Sequence, residues 1–152
     1  MTQDKSKPNL TFAHESAMGF VGSEQHGQFI IFSDRLCILG QSGNFRQMYE
    51  VATGKIVRCP STTVVTRAFL SHWGTKYREP EEHSSKLVPL GDVEQGSVVM
   101  RPTDDGRELV LKVDALRGAP RSTVVALFTG EIYEISNSTE VVRTETDLEF
   151  CV

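Results

Sequence analysis

Histidine is the side chain in this sequence that would most readily hold a metal ion, and its spacing predicts no site. The four histidines are His14, His26, His72 and His83, and none belongs to an HxH, HExxH or CxxC pattern. His72 and His83 both lie in an irregular segment, so a shared ligand role stays open. We therefore expect surface histidines, with no metal and no cofactor.

The cysteines do not predict a nucleophile either. They are Cys37, Cys59 and Cys151, an odd number without CxxC spacing. A reactive thiol needs a pKa lowered by a nearby base or a helix N-terminus. Cys37 instead lies in an apolar, strand-like run, and Cys59 precedes Pro60. Because no apolar stretch follows the N-terminal charges, the sequence predicts no secretory signal, and we expect reduced thiols in a cytoplasmic protein.

Other candidate chemistry is equally weak. Gly40-Gln-Ser-Gly43 is glycine-rich, but no Lys-Ser or Lys-Thr follows it, so a turn is predicted in place of a phosphate site. The pairs Asp104-Asp105 and Glu81-Glu82 are adjacent in sequence, so their side chains diverge into solvent and do not face one substrate atom. No spacing combines a nucleophile, a base and an orienting group. The sequence therefore predicts that this protein is not an enzyme, unless a site forms between two parts of the chain.

Aromatic and arginine side chains give better candidates, since they are the usual anchors of protein interfaces. Phe45 and Arg46 lie beside Tyr49 in a predicted loop, where they would also suit stacking on nucleic-acid bases. Trp73, the only tryptophan, and Tyr77 lie in a segment that is too aromatic for a flexible linker. This segment is expected to pack down on the protein or on a partner.

Charge separates two kinds of partner. Residues 1–76 contain 8 Lys and Arg against 5 Asp and Glu, whereas residues 77–152 contain 8 against 15, although Arg117 and Arg121 lie in one loop of the second part. The net charge is −4, and no stripe of basic residues would supply the phosphate contacts that a duplex binder needs. A protein partner is therefore expected, with single-stranded nucleic acid as the alternative.

These residues belong to a sequence that repeats itself. Residues 53–65 contain TGKIVRCPSTTVV, and residues 129–142 contain TGEIYEISNSTEVV. The offset is 76 at Gly54 and Gly130, 77 at the following valine pairs and 69 further upstream. A drifting offset is typical of a duplicated fold whose loops differ in length.

Each copy contains five runs with strand character, separated by turn residues. In the first copy the predicted strands are Gln28–Phe32, Leu36–Leu39, Arg46–Ala52, Lys55–Arg58 and Thr63–Phe69. In the second they are Ser97–Arg101, Glu108–Asp114, Ser122–Phe128, Glu131–Ile135 and Glu140–Thr144. Helical periodicity is confined to Arg67–Trp73, which would form a turn or two of helix.

This strand order resembles the small barrel of the Src-homology, Tudor and Sm-like type. Residues 90–144, and more loosely residues 21–66, also resemble short uncharacterised phage and bacterial domains. The matching motifs are Asp92-Val93-Glu-Gln-Gly96, Thr129-Gly-Glu-Ile132 and Ser138-Thr-Glu-Val-Val142. The resemblance implies a barrel fold and a phage origin, and it implies no activity.

We therefore predict an all-β protein of two tandem small five-stranded barrels that arose by internal duplication. The predicted parts are an N-terminal arm at 1–19, a first barrel at 20–69, a packed connector at 70–87, a second barrel at 88–145 and a tail at 146–152. Leu10 and Phe12, two residues apart in the arm, would add a short strand to a sheet edge.

The predicted function is that of a non-enzymatic, phage-encoded module in the host cytoplasm, which occupies a surface of a host or phage protein. The alternatives are a single-stranded nucleic-acid binder and a virion component that assembles into homo-oligomers. No apolar run reaches the roughly 20 residues that span a bilayer, so no membrane is expected. The predicted contact residues are Phe45, Arg46, Trp73, Tyr77, Arg117 and Arg121.

Overall fold

The structure is a computed structural model that describes residues 7–13, 17–20, 25, 27–76, 87–104, 106–115 and 120–151. This part of the chain is all-β, and its only helical element is a 3₁₀ turn at Leu90–Asp92. The strands are β1 (Asn9–Ala13), β2 (Ala17–Phe20), β3 (Phe29–Phe32), β4 (Arg35–Ser42), β5 (Phe45–Glu50), β6 (Ile56–Val57), β7 (Val64–Lys76), β8 (Leu87–Pro89), β9 (Val98–Thr103), β10 (Gly106–Val113), β11 (Arg121–Ala126), β12 (Ile132–Ser136), β13 (Glu140–Arg143) and β14 (Glu145–Cys151).

The strands form two sheets whose central parts have the same order. The larger sheet is β1-β14-β7-β3-β4-β5-β6, with β2 also on β7, and the smaller is β12-β11-β10-β9-β13-β8. In the first half of the chain, which ends with β7, the antiparallel set has the order β6-β5-β4-β3-β7. In the second half, which begins with β8, the matching set has the order β12-β11-β10-β9-β13. A further strand flanks the last one in each half, β2 on β7 and β8 on β13.

The contacts between the halves, called the seam below, come in matched pairs. The backbone N–H of Gln41 donates to the carbonyl oxygen of Gly130, and the N–H of Asp114 donates to that of Gly54, both at 2.8 Å. Gly54 and Gly130 occupy equivalent turns, with φ of 69° and 74°. Reciprocal contacts of this kind are those of a two-fold interface. The halves are therefore related by an approximate two-fold axis within one chain.

The last strand of each half continues across the seam. The first part of β7 pairs with β2 and β3, and its second part, from Phe69 to Lys76, pairs antiparallel with β14. β14 follows β13 after a single residue, Thr144, so it is the matching continuation in the second half. β1 then adds to β14 in parallel, which confirms the strand predicted for the N-terminal arm.

These continuations differ from the boundaries drawn from the sequence. A tail was expected at residues 146–152, but residues 145–151 form β14 because Leu148 and Phe150 bury their side chains in the core. Arg67–Trp73 is not helical but lies within β7, where β3 and β14 pair with its backbone. The expected connector at 70–87 accordingly begins inside β7, and its residues 77–86 lie outside the described ranges.

The buried apolar side chains form three clusters. The largest contains residues of both sheets and both halves, among them Phe29, Ile38, Tyr49, Val51, Val98, Leu111, Val125, Leu127, Leu148 and Phe150. Each half also has a cluster of its own. These are Ile30, Cys37, Leu39, Met48, Val57 and Val65 in the first half, and Leu90, Val93, Val99, Val110, Val124 and Val141 in the second. Because the largest cluster belongs to neither half alone, we expect the protein to unfold as one unit.

Gly40 shows how closely the halves approach each other. A turn was expected from Gly40 onward, but β4 continues to Ser42 and the turn is confined to Gly43-Asn44. A Cβ atom at Gly40 would lie 2.7 Å from Cγ1 of Ile132, which belongs to the other half. Glycine at this position therefore leaves room for Ile132 of β12, and it is not required by a turn.

Candidate functional site

A groove opens where β7 leaves β3 and continues along β14. Its volume is about 530 Å³, and the turn after β11 forms its opposite wall. The lining residues are Gln25, Gly27, Gln28, Phe29, Ala68, Phe69, Leu70, Ser71, Trp73, Leu127 and Phe128. The groove thus lies on the seam and is built by both halves of the chain.

Exposed aromatic side chains dominate the groove. Trp73 is 52% exposed, Phe69 48% and Phe128 49%. The rings of Trp73 and Phe128 are in contact, with centroids 5.0 Å apart and an interplanar angle of 53°. Trp73 comes from the first half and Phe128 from the second, so this pair bridges the seam. Large apolar side chains that stay exposed together are typical of interaction sites.

The register of β7 on β14 explains the position of Trp73. Trp73 lies directly opposite Leu148, which is buried, and opposite residues of an antiparallel pair share one face of the sheet. A bulge next to Glu149 makes Ser71 the extra residue, and its hydroxyl donates to the Glu149 carbonyl at 3.0 Å. The bulge shifts the alternation by one residue. Leu70 and Trp73 therefore face the same side although they are three residues apart.

None of the described residues that line the groove is charged. Its polar side chains are those of Gln25, Gln28 and Ser71, and the amide of Gln28 donates to the carbonyl oxygens of Phe29 at 3.0 Å and Ala68 at 3.1 Å. These bonds fix the Gln28 side chain just before β3 begins. A ligand here would be recognised by apolar contact and by neutral hydrogen bonds.

A second cavity, called the hollow below, lies at the β5–β6 end of the first half. Its volume is about 320 Å³. It is lined by Leu39, Arg46, Gln47, Met48, Val57, Arg58, Cys59 and Ser61. Arg46 and Arg58 are both exposed, and the described lining residues include no acidic one. Phe45, 42% exposed, precedes Arg46 in β5. The groove and the hollow share no lining residue, so the predicted contact residues do not form one surface.

The other candidates lie elsewhere. Arg121 is exposed at the start of β11, opposite Ser136, and lines neither cavity. Tyr77 and Arg117 lie outside the described ranges. Tyr49 cannot stack on bases with Phe45, because its side chain is fully buried. Burial raises the pKa of Tyr49 to about 12, and its hydroxyl has no hydrogen-bond partner among the described groups.

Phe128 and Arg58 line the cavities but were not among the contact residues predicted from the sequence. Phe128 was assigned to a strand, whereas β11 ends at Ala126 and Phe128 is exposed in the turn that follows. The repeat contained a signal, because its offset of 76 aligns Phe128 with Ala52, which is also exposed. An aromatic residue where the other copy has alanine indicates a side chain that the fold does not require.

The titratable side chains of the described residues do not gather into a metal site. No group of three or more His, Cys, Asp or Glu among them could hold a metal ion. Burial, and then the charge of Glu50, raise the pKa of the Cys37 thiol to about 12, so it is protonated at neutral pH. Burial lowers the pKa of Lys112, whose Nζ donates to the carbonyl oxygens of Leu90 at 2.9 Å and Val93 at 2.6 Å. The ammonium group of Lys112 therefore holds the 3₁₀ turn in place.

Comparison with known proteins leaves the function to be argued from these two cavities. No protein-family model matches the chain, and neither a curated protein nor a solved structure matches it at a significant level. Within the described ranges, no helix has the length and apolar character needed to cross a bilayer.

Proposed function

We propose that this chain is a non-enzymatic protein-binding module, which occupies a surface of its partner through the groove. The observation that carries this proposal is the Trp73–Phe128 pair, two aromatic side chains that are about half exposed and in mutual contact. Covering the exposed halves would remove roughly 200 Å² of apolar surface from water, a gross gain of about 5 kcal/mol before the costs of association. A contribution of this size would make the pair the energetic centre of an interface.

The chemistry of the lining favours a protein over a nucleic acid at this place. Nucleic-acid binding depends on Lys and Arg beside the phosphates, and neither is found among the described residues that line the groove. Apolar side chains and backbone amides of a protein would match the aromatic rings and the neutral polar groups of Gln25, Gln28 and Ser71.

The hollow supports a second candidate function, the binding of single-stranded nucleic acid. Arg46 and Arg58 would contact phosphates, and the exposed ring of Phe45 would stack on a base. Two arginines supply few phosphate contacts, and the chain carries a net charge of −4. This function therefore ranks second.

We also propose that the halves are two small five-stranded barrels that descend from one duplicated ancestor. The shared strand order, the equivalent turns at Gly54 and Gly130 and the reciprocal seam contacts support this origin. The resemblance to phage domains makes a host or phage protein, met in the host cytoplasm, the partner that we propose. A virion component that self-assembles is the remaining alternative, and a large homo-oligomer in light scattering would favour it.

An affinity experiment with the purified chain and host lysate tests the proposal. The baits are wild type, Trp73→Ala, Phe128→Ala and two controls outside the groove, Phe45→Ala and Arg46→Ala, with folding of each verified by circular dichroism. We expect the groove variants to lose a protein that wild type and both controls retain. Undiminished capture by both groove variants would reject the groove as the interface. Retention of RNA or DNA that falls steeply with salt and needs Phe45 and Arg46 would establish the second candidate instead.

A further inference from the structure

The stretch of β7 that lines the groove has an edge on which none of the described strands pairs. β3 pairs with β7 only at Thr66–Ala68, and from Phe69 onward β7 pairs with β14 on its other side. Among the described residues, no strand pairs with this second stretch on the β3 side. The backbone N–H and C=O groups of an open edge are a template for an additional strand.

The equivalent edge in the second half is occupied by the chain itself. β14 is the counterpart of the second part of β7, and β1 covers the edge of β14 that faces away from β7. The pairing is parallel and runs from Asn9 opposite Asp147 to Ala13 opposite Cys151. An extended N-terminal segment thus covers the edge of β14 in the second half. None of the described strands covers the counterpart edge of β7 in the first half.

Side chains as well as backbone hold β1 in place. Leu10 packs against the large core cluster, and the ring of Phe12 stacks on Phe150 with centroids 5.9 Å apart. Just before β1, Nζ of Lys7 donates to the carbonyl oxygen of Gln95 at 2.5 Å. The segment that fits the edge of β14 therefore has apolar side chains at alternate positions, Leu10 and Phe12, and a polar residue, Lys7, just before them.

Two equivalent turns show that Lys7 lies at the counterpart of the groove. Gly27 and Gly96 end these turns with φ of 83° and 87°, and their N–H groups donate to the equivalent carbonyls of Leu39 at 2.7 Å and Lys112 at 2.8 Å. Gly27 lines the groove. At Gly96, a Cβ atom would lie 2.8 Å from Nζ of Lys7. The N-terminal segment thus occupies, beside Gly96, the place that corresponds to the groove beside Gly27.

We propose that the groove receives an extended peptide segment of the partner protein, which adds to β7 as a parallel strand in the way that β1 adds to β14. This inference rests on the proposed function, since it specifies how the partner binds there. Backbone hydrogen bonds to β7 provide affinity, and one apolar side chain of the peptide packs against Trp73 and Phe128. Because the described lining residues are uncharged, the peptide residues that face them are apolar or neutral, as in the Asn-Leu-Thr-Phe sequence of β1.

The test uses the intact chain and a capped synthetic peptide with the sequence of residues 7–13, Lys-Pro-Asn-Leu-Thr-Phe-Ala. Trp73 is the only tryptophan, so its emission reports on the groove directly. We expect a saturable blue shift with the peptide, and none with a control peptide in which Leu and Phe are replaced by Ser. Phe128→Ala should weaken binding at least tenfold, whereas Phe45→Ala should leave it unchanged.

A second probe separates strand addition from side-chain binding alone. N-methyl groups on two consecutive residues of the peptide remove a backbone donor on whichever side faces β7, and we expect at least a tenfold loss of affinity. Equal binding of the methylated peptide would overturn strand addition and leave the proposed function standing. The absence of any shift in Trp73 emission at millimolar peptide would also overturn strand addition. Faster amide exchange confined to residues 9–13 would overturn it as well, because it would mean that the peptide merely displaces β1.

Discussion

Replacement of Gly54 by alanine should destabilise the protein far more than the same change at Gly43. Both residues have positive φ, 69° and 60°, so a side chain at either position costs about 1 kcal/mol or slightly more in backbone strain. At Gly43 nothing lies within 4 Å of the added Cβ atom. Strain is then the whole effect, and we expect a loss of about 1 kcal/mol in the free energy of unfolding.

At Gly54 the added Cβ atom would lie 2.4 Å from the carbonyl oxygen of Lys112 and 2.9 Å from the backbone nitrogen of Gly96. Both atoms belong to the second half, so relief of the clash must separate the halves locally. That movement weakens the hydrogen bond from Asp114 N–H to the Gly54 carbonyl, at about 1 kcal/mol, and adds about 1–3 kcal/mol of overpacking. With the strain included, the expected loss is about 3–5 kcal/mol.

Urea unfolding, followed by circular dichroism and by Trp73 fluorescence, measures both losses under the same conditions. In thermal melts, the expected decreases in Tm are roughly 6–20 °C for Gly54→Ala and 2–4 °C for Gly43→Ala. Equal losses in the two variants would refute the close contact at the seam. Two separate transitions in Gly54→Ala, one of them at the wild-type midpoint, would refute the inference that the halves share one core.

Two buried groups, the Tyr49 hydroxyl and the Cys37 thiol, supply the remaining three predictions. Tyr49→Phe removes a hydroxyl that has no hydrogen-bond partner among the described groups. Urea melts should therefore show a free energy of unfolding that is unchanged or up to about 1 kcal/mol higher. A loss above about 1 kcal/mol would contradict this expectation. Burial raises the pKa of Tyr49 from 10.0, and that of Cys37 from 9.0, to about 12, so the unfolded chain releases these protons first. The free energy of unfolding should therefore keep its full value below pH 9 and decline toward pH 12, by up to about 1.4 kcal/mol per pH unit for each group. A free energy of unfolding that does not change over this range would contradict the two pKa shifts. With an aromatic disulfide reagent at pH 8, Cys59 and Cys151 should react in the native protein, whereas Cys37 should react only on unfolding. A third thiol that reacts quickly in the native protein would contradict the burial of Cys37.

The all-β class and the order of strands within each half could be predicted from the sequence, because they depend on local patterns. Alternating apolar residues such as Leu109, Leu111 and Val113 indicate a strand wherever its partner lies, and turns at Gly54 and Gly130 follow from glycine at positive φ. What could not be predicted is the role of residues 145–151. Their alternation is as regular as that of β10, but the strand that they pair with lies far away in the chain.

The candidate site was only half predictable for the same reason. Trp73 could be nominated because a single tryptophan in a polar segment is conspicuous in the sequence. Its contact with Phe128 depends on the bulge at Ser71 and on the approach of the two halves, and neither has a local signature. Phe45 and Arg46 were nominated on residue type alone. Neither lines the groove, and only Arg46 lines the hollow.

The parallel pairing of β1 with β14 has a mechanical consequence. The chain enters β1 at Asn9, beside Asp147, and leaves β14 at Cys151, beside Ala13. A force that pulls the two ends of the chain apart therefore acts along both strands in opposite directions. The evenly spaced hydrogen bonds of a parallel ladder would bear this load together, in shear, and would not open one after another from one end. The protein is thus braced against tension between its termini.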